Sequence, residues 1–178
     1  MDALETFNIK KHLESRGVTD KTNVFYSKDE ATFPLYTITG IFCGVQFYRP
    51  LSDKKKRNDE HGKYMTVPVA GYTPIFGIDY LDMSKDYCFV QEGIFDALAL
   101  INLGYNAVAI LSFSNKQAFL QLRLLFKNLY SLTDPDSSGD KLGVKMNRYM
   151  KCPDGYDVGD LFKTNRSLLE SMSSSFFK

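Results

Sequence analysis

The second half of the chain alternates in a way that few architectures accommodate. Short apolar runs, "DYCFVQ" at 86–91, "NAVAILS" at 106–112 and "NLYSLTD" at 128–134, are each followed by a longer stretch: "IFDALALINLG" at 94–104, "NKQAFLQLRLLF" at 115–126 and "GDKLGVKMNRYM" at 139–150. In 94–104 the apolar residues recur at three and four and a glycine closes the run, which is the pattern of an amphipathic helix. The short runs have the length and composition of strands. Strand and helix alternating at this spacing predict an α/β domain, a parallel sheet with flanking helices.

The first half has a different rhythm. Residues 5–16 read as a short amphipathic helix ended near Gly17, and "NVFYS" at 23–27 as a strand. "FPLYTITGIFCGVQFYRP" reads as a hairpin with Gly40 at its turn, and "KYMTVPVAG" at 63–71 as a further strand. The expected organisation is a small, basic, β-rich α+β subdomain at 1–82, an α/β domain at 83–165, and a C-terminal helix or tail at 166–178.

Composition bounds the function classes. Apolar residues make up 44% of the 178 and charged residues 24%, as in an ordinary globular protein, and the formal net charge of +1 gives no global field for nucleic acid. The N-terminus carries no apolar stretch of signal length, and the longest apolar-rich run is too short to span a bilayer, so the expectation is a cytoplasmic protein with no membrane partner. Three scattered cysteines, Cys43, Cys88 and Cys152, and two histidines, His12 and His61, form no zinc-ligand spacing, so no structural zinc is expected.

The chemistry-bearing residues are acids. Asp134 and Asp136 stand two apart in "SLTDPDSSGDKLG", at the end of an apolar run. Asp, Pro, Ser and Gly also make ordinary turns. A third carboxylate changes the weighing. Glu92, followed by Gly93, sits where a strand gives way to a helix, and Asp96 lies four residues on, on the same helix face. Strand ends of a parallel sheet form its crevice. Glu92, Asp134 and Asp136 would therefore converge there, with Asp96 near them. Acids packed together repel unless a cation sits among them, and Mg²⁺ (or Mn²⁺) is the hard ion such oxygens suit. The plainer readings are that Glu92 favours a helix N-terminus and that Asp96 is a first-turn acid.

"FVQEGIFDALALINLGYNAVAIL" followed by "SLTDPDSSGDKLGVK" resembles the Toprim domain shared by bacterial and phage-type primases, type IA and II topoisomerases, recombination mediators and small nucleases. The signature is a strand-end glutamate and glycine, here Glu92 and Gly93, then an Asp-x-Asp pair with a nearby glycine, here Asp134, Asp136 and Gly139. The resemblance covers about residues 84–162 and makes Glu92, Asp134 and Asp136 the implied metal ligands, with Asp96 beside them in catalysis. "DVGDLF" at 157–162 resembles the acidic stretch that closes many primase Toprim domains, making Asp157 and Asp160 outer carboxylates. The first half is similar to the small domain preceding Toprim in primases, with Arg49, Lys63 and Tyr64 in place of its basic and "K-Y" elements. The zinc-binding and helicase parts of such proteins have no counterpart in the sequence.

The resemblance implies a primase or primase-like subunit, a Mg²⁺- or Mn²⁺-dependent nucleotidyltransferase that joins ribonucleoside triphosphates on a single-stranded DNA template. A replicative helicase or a zinc-bearing primase subunit is the implied protein partner. Arg49 and Lys63, with Lys54, Lys55, Lys56 and Arg57 of the "KKKR" run and Lys141 after the aspartates, are the expected contacts to nucleotide and template phosphates. A charge run of this kind is also an ordinary solvated face. Two other readings use the same residues: a Toprim nuclease, in which the acids serve water rather than a sugar hydroxyl, and a non-catalytic nucleic-acid-binding accessory protein.

Overall fold

The computed structural model describes residues 7–52 and 62–178. Helix α1 (Ile9–Ser15) opens with Asn8, whose side chain accepts from the Lys11 N–H, and buries Ile9 and Leu13. Four antiparallel strands follow, β1 (Phe25–Tyr26), β2 (Ala31–Tyr36), β3 (Phe42–Tyr48) and β4 (Tyr64–Pro68), lying side by side in chain order. The hairpin between β2 and β3 turns at Gly40, whose φ of 80° is a conformation glycine adopts without steric cost.

The second half holds β5 (Tyr87–Gln91), α2 (Ile94–Asn102), β6 (Ala107–Ala109), α3 (Lys116–Leu125), β7 (Asn128–Thr133), α4 (Ser137–Gly143), β8 (Arg148–Lys151), α5 (Val158–Thr164) and α6 (Arg166–Ser174). The four strands are parallel in the order β6-β5-β7-β8. This is the α/β sheet with flanking helices that the alternation implied, preceded by a smaller β-rich layer.

One expectation is corrected. The stretch 139–150 is not a single helix: α4 ends at Gly143 and Arg148–Lys151 forms the edge strand β8. Asn147 sets the join, since its N–H donates to the Leu129 carbonyl at 2.8 Å and its side-chain oxygen accepts from the Leu129 N–H at 2.9 Å. Gly143 lies under the Tyr149 ring, where a Cβ would collide with it.

Ile75 and Phe76 stitch the two sheets together. Ile75 exchanges backbone hydrogen bonds with Tyr36 of β2, and Phe76 does so with Ala109 of β6. Around this seam one core cluster takes residues from both halves, including Leu13, Phe33, Phe76, Phe95 and Leu98. The Phe33 ring meets Phe76 and Phe95 edge-on, at centroid distances of 5.8 and 5.7 Å. The antiparallel layer is thereby packed against α2, the helix that begins beside Glu92. Helix α6 packs through Leu169 and Met172, and the turn after it through Phe176, into a cluster with Phe89 and Tyr130.

Candidate active site

The site is built where β5 and β7 end. The two strands pair in parallel, Phe89 opposite Tyr130, so the residues that follow them leave on the same side of the sheet. Glu92 directly follows β5, and Asp134 directly follows β7. The two acids frame a small gap of about 20 Å³ together with Asp96, Thr133 and Gly139. That volume holds about one water-sized sphere.

The backbone is arranged to bring the acids this close. Asp136 caps α4, its carboxylate accepting from the Gly139 N–H at 2.8 Å. Gly139 then runs against the Asp134 backbone, where a Cβ would collide with the Asp134 carbonyl. The glycine that follows the Asp-x-Asp pair is therefore required for close approach rather than for a turn. Ser138 donates to the Glu92 Oε2 at 3.2 Å and so ties α4 to the end of β5.

Asp96 connects a third element. Its Oδ1 accepts from the Gly159 N–H at 3.0 Å, joining α2 to the start of α5. Asp157 caps α5 by accepting from the Asp160 N–H at 2.6 Å. Burial, and then the neighbouring Asp157 and Asp134 carboxylates, push Asp96 up to about 8, against the Gly159 hydrogen bond and Arg16, which pull it down. Partial burial pushes Asp134 up to about 6, with Asp157, Asp136, Glu92 and Asp160 adding repulsion in that order.

These acids stress one another, and the Thr133 Oγ1 beside the gap is buried without a hydrogen-bond partner. Hard oxygen donors, mutual repulsion and an orphaned hydroxyl fit a small divalent cation. Among the described residues, however, no three His, Cys, Asp or Glu side chains are gathered into a ligand set.

Arg16 is the residue that sequence reasoning missed. It stands at the end of α1, far from the acids in the chain, and its guanidinium carbon lies 4.2 Å from the Phe95 ring centroid. From there it opposes the rise of Asp96 and also of Tyr48 and Tyr64. Its Nε is buried without a partner. An arginine before a helix-ending glycine carries no sequence signal for such a role; only the packing of α1 on α2 reveals it. Tyr64, one of the "K-Y" residues, faces the same cluster. Its phenol is pushed well above its usual value, mainly by burial, with Asp96 and Asp157 contributing.

The expected phosphate contacts lie in varied settings. Arg49 pairs with Glu30 at 2.6 Å and stacks its guanidinium over Phe47 at 5.5 Å. Lys63 Nζ lies 5.9 Å from the Tyr48 ring centroid, close to the Arg16 cluster. Lys141 is exposed, its Nζ 5.4 Å from the Phe113 ring centroid. Lys54, Lys55, Lys56 and Arg57 lie outside the described residues.

With this geometry in place, comparison with known proteins defines the class. Residues 89–158 match the family model described as Toprim-like, a span that runs from β5 through the cap of α5 and contains Glu92, Asp96, Asp134, Asp136 and Asp157. These residues form a Toprim-like domain within the chain.

Its fold as a whole is close to that of primase catalytic domains. It is similar to the Aquifex aeolicus primase (zinc-binding and RNA polymerase domains), with a TM-score of 0.62, 22% identity, and coverage of 94% of this chain and 46% of that one. A DnaG primase catalytic domain bound to single-stranded DNA aligns with a TM-score of 0.61 and 18% identity over 93% of this chain and 58% of that one. The primase fragment of the bacteriophage T7 primase-helicase aligns with a TM-score of 0.56 and 12% identity over 80% of this chain and 62% of that one. The chain thus spans less than two thirds of each of these structures. No curated protein matches it. Among the described residues, no helix is long and apolar enough to cross a membrane.

Proposed function

We propose that this protein is a primase-type polymerase that joins ribonucleotides on a single-stranded DNA template. The observation that carries the reading is the convergence of Glu92, Asp96 and Asp134 on one gap at the end of the parallel sheet, beneath an antiparallel layer, in a fold shared with primase catalytic domains. A DnaG domain of the same fold has been solved with single-stranded DNA, which supports the choice of template.

Glu92, Asp134 and Asp136 are the residues that would hold Mg²⁺ or Mn²⁺. Such ions, when bound, supply neutralisation of phosphate charge in the transfer. The chain's own groups prepare that site. Ser138 fixes the orientation of the Glu92 carboxylate, and Gly139 lets α4 bring Asp134 against it. Arg16 sets a positive charge opposite Asp96, and Lys63 adds a second cation on the antiparallel side. Arg16, Lys63 and Lys141, together with the 54–57 run, are the proposed contacts for triphosphate and template. Arg49 in this reading is first an anchor of the antiparallel layer through Glu30 and reaches phosphate only by leaving it. A replicative helicase or a zinc-bearing primase subunit is the proposed protein partner.

The test is incubation with single-stranded DNA, labelled ribonucleotides and Mg²⁺ or Mn²⁺. Template-dependent extension products are expected, and their loss in Asp134→Asn. Degradation of the DNA instead would establish a nuclease. Neither product, with DNA binding retained, would establish an accessory protein.

A further inference from the structure

Helix α3 turns an apolar and positively charged face away from the core. Its inner side is ordinary, with Ala118, Phe119 and Leu122 buried against the parallel sheet. On its outer side Leu120 and Leu124, one turn apart, are 60% and 86% exposed. Between α3 and the turn after α4 lies a groove of about 330 Å³, lined by Phe119 and Leu120 and by the cations Lys116, Arg123 and Lys145. We propose that this groove docks a partner protein through an acidic segment that carries bulky apolar side chains beside its carboxylates. The groove shares no lining residue with the gap between the acids, so its role stands or falls apart from the polymerase reading.

The groove is held in shape by its own cations. The Arg123 Nη2 donates to the Lys145 carbonyl at 2.5 Å, and the Lys145 Nζ donates to the Phe113 carbonyl. The same Nζ lies 4.8 Å from the Phe119 ring centroid. These bonds tie the turn after α4 to α3 and to the loop before it. Each uses one of several donors on its side chain, so both cations keep N–H groups for an acid.

Charge selects the occupant. No Asp or Glu occurs from residue 97 to residue 133, where Lys116, Arg123 and Lys127 are the only charged residues. Among the described residues Lys116, Arg123 and Lys145 pair with no carboxylate, whereas the exposed Lys10, Lys151 and Arg166 each have one. Lys116 is the most telling of the three. It is the first residue of α3, where the helix dipole disfavours a cation and favours an acid. A lysine there is at odds with the helix it begins and suits a negative group brought from outside.

Apolar surface then selects among negative partners. A phosphate backbone matches the cations but leaves Leu120 and Leu124 in water. A leucine or phenylalanine of a partner, seated on Phe119 and Leu120, removes that surface from water while the acids beside it meet the rim. Single exposed leucines are ordinary, but two at helical spacing along a groove form the contiguous strip that marks an interaction site. The volume is at the lower end of ligand-sized pockets, enough for a few side chains of an inserted segment rather than for a folded face.

The experiment selects binders from a displayed library of random short peptides on the wild-type protein. Fluorescence anisotropy then measures the selected peptides against wild type, Lys116→Glu, Leu120→Ser and Leu124→Ser. A single-stranded oligodeoxynucleotide and anionic phospholipid vesicles are titrated in parallel, and each protein alone is sedimented. All three positions are exposed and glutamate suits a helix start, so the variants are expected to melt close to wild type. The selected peptides should carry Asp or Glu beside Leu or Phe, and their affinity should fall about tenfold in each variant, with oligonucleotide and vesicle affinity unchanged. Basic or uncharged peptides, or none whose binding depends on these three residues, overturn the proposal. An equal loss of oligonucleotide affinity overturns it in favour of nucleic acid, and an equal loss of vesicle affinity in favour of a membrane surface. Self-association of wild type that disappears in Leu120→Ser and Leu124→Ser overturns it in favour of a second copy of this chain.

Discussion

The two sheets carry their polar groups in opposite places. In the parallel sheet the inner strands are mostly apolar, with Cys88, Phe89 and Val90 of β5 fully buried, and the acids come only after β5 and β7 end. In the antiparallel sheet the polar groups lie within the strands: Gln46 and Tyr48 on β3, opposite Thr66 and Tyr64 on β4. The reason is coverage. Helices pack on the parallel sheet and leave its ends as the place where a side chain can meet a ligand. In the antiparallel sheet Gln46 and Tyr48 are buried on the face where Tyr48 packs against Phe95 of α2, so its polar groups lie in the seam between the two halves. Each half is therefore vulnerable in its own way. The acid edge depends on close backbone approach at the loops. The antiparallel face depends on register, since a one-residue slip would turn Gln46 and Thr66 to the other side.

The sharpest break in this comparison is Asp134→Asn. Ribonucleotide incorporation should fall by at least about a hundredfold, as when one preorganised charge is removed from a reaction centre. Melting should stay level or rise, because the lost carboxylate is repelled by its neighbours. Turnover at the wild-type rate would move the chemistry away from the strand ends.

Gly139→Ala tests the backbone approach at the same edge. The added methyl meets the Asp134 carbonyl, so urea denaturation should show a loss of about 1–3 kcal/mol, typical of overpacking. Wild-type stability would mean that α4 can withdraw from Asp134 at no cost.

A pH series sharpens the electrostatic part. Asp96 and Asp134 are held at about 8 and about 6, above the ordinary carboxylate value of 3.8, so the folded chain keeps protons that the unfolded chain has already released. Stability from these two groups is therefore complete below about pH 4 and is lost as pH rises towards 8. In EDTA the urea midpoint should be lower at pH 8 than at pH 5, and Asp96→Asn should flatten that decline. Mg²⁺ should restore stability at pH 8, because it binds the ionised acids of the folded state. A midpoint indifferent to pH in EDTA would show that the acids do not stress one another.

Arg49→Ala should have the smallest effect on stability. Its ion pair with Glu30 is partly exposed, and such pairs contribute less than about 1 kcal/mol. A large fall in ribonucleotide incorporation with unchanged stability would place Arg49 on phosphate instead, as the sequence pattern suggests.

Much of the architecture could be read before folding was considered. The buried strands β5, β6 and β7 announce themselves as continuous apolar runs, and α2 by its three-and-four spacing and its closing glycine, Gly104. Strand β8 did not. Its residues Arg148–Lys151 lie at a sheet edge and are mostly exposed, so they carry no apolar pattern, and their strand state comes from pairing with β7. The acids Glu92 and Asp134 were legible for the same reason as their strands: a charge immediately after an apolar run marks a strand end.

The alternation of strand and helix, the positions of the acids along it, and the glycine that allows them to close up are all written locally, because each is a relation between neighbours in the chain. Folding alone sets Arg16 against Asp96, pairs Gln46 with Thr66, and holds Leu111 at positive φ against Glu92. Those pairings are separated by up to eighty residues. They follow from the Ile75–Phe76 seam and the Phe33–Phe76–Phe95 core, which press the antiparallel layer onto α2, and hydrophobic burial of that kind has no direction that a short stretch of sequence could record.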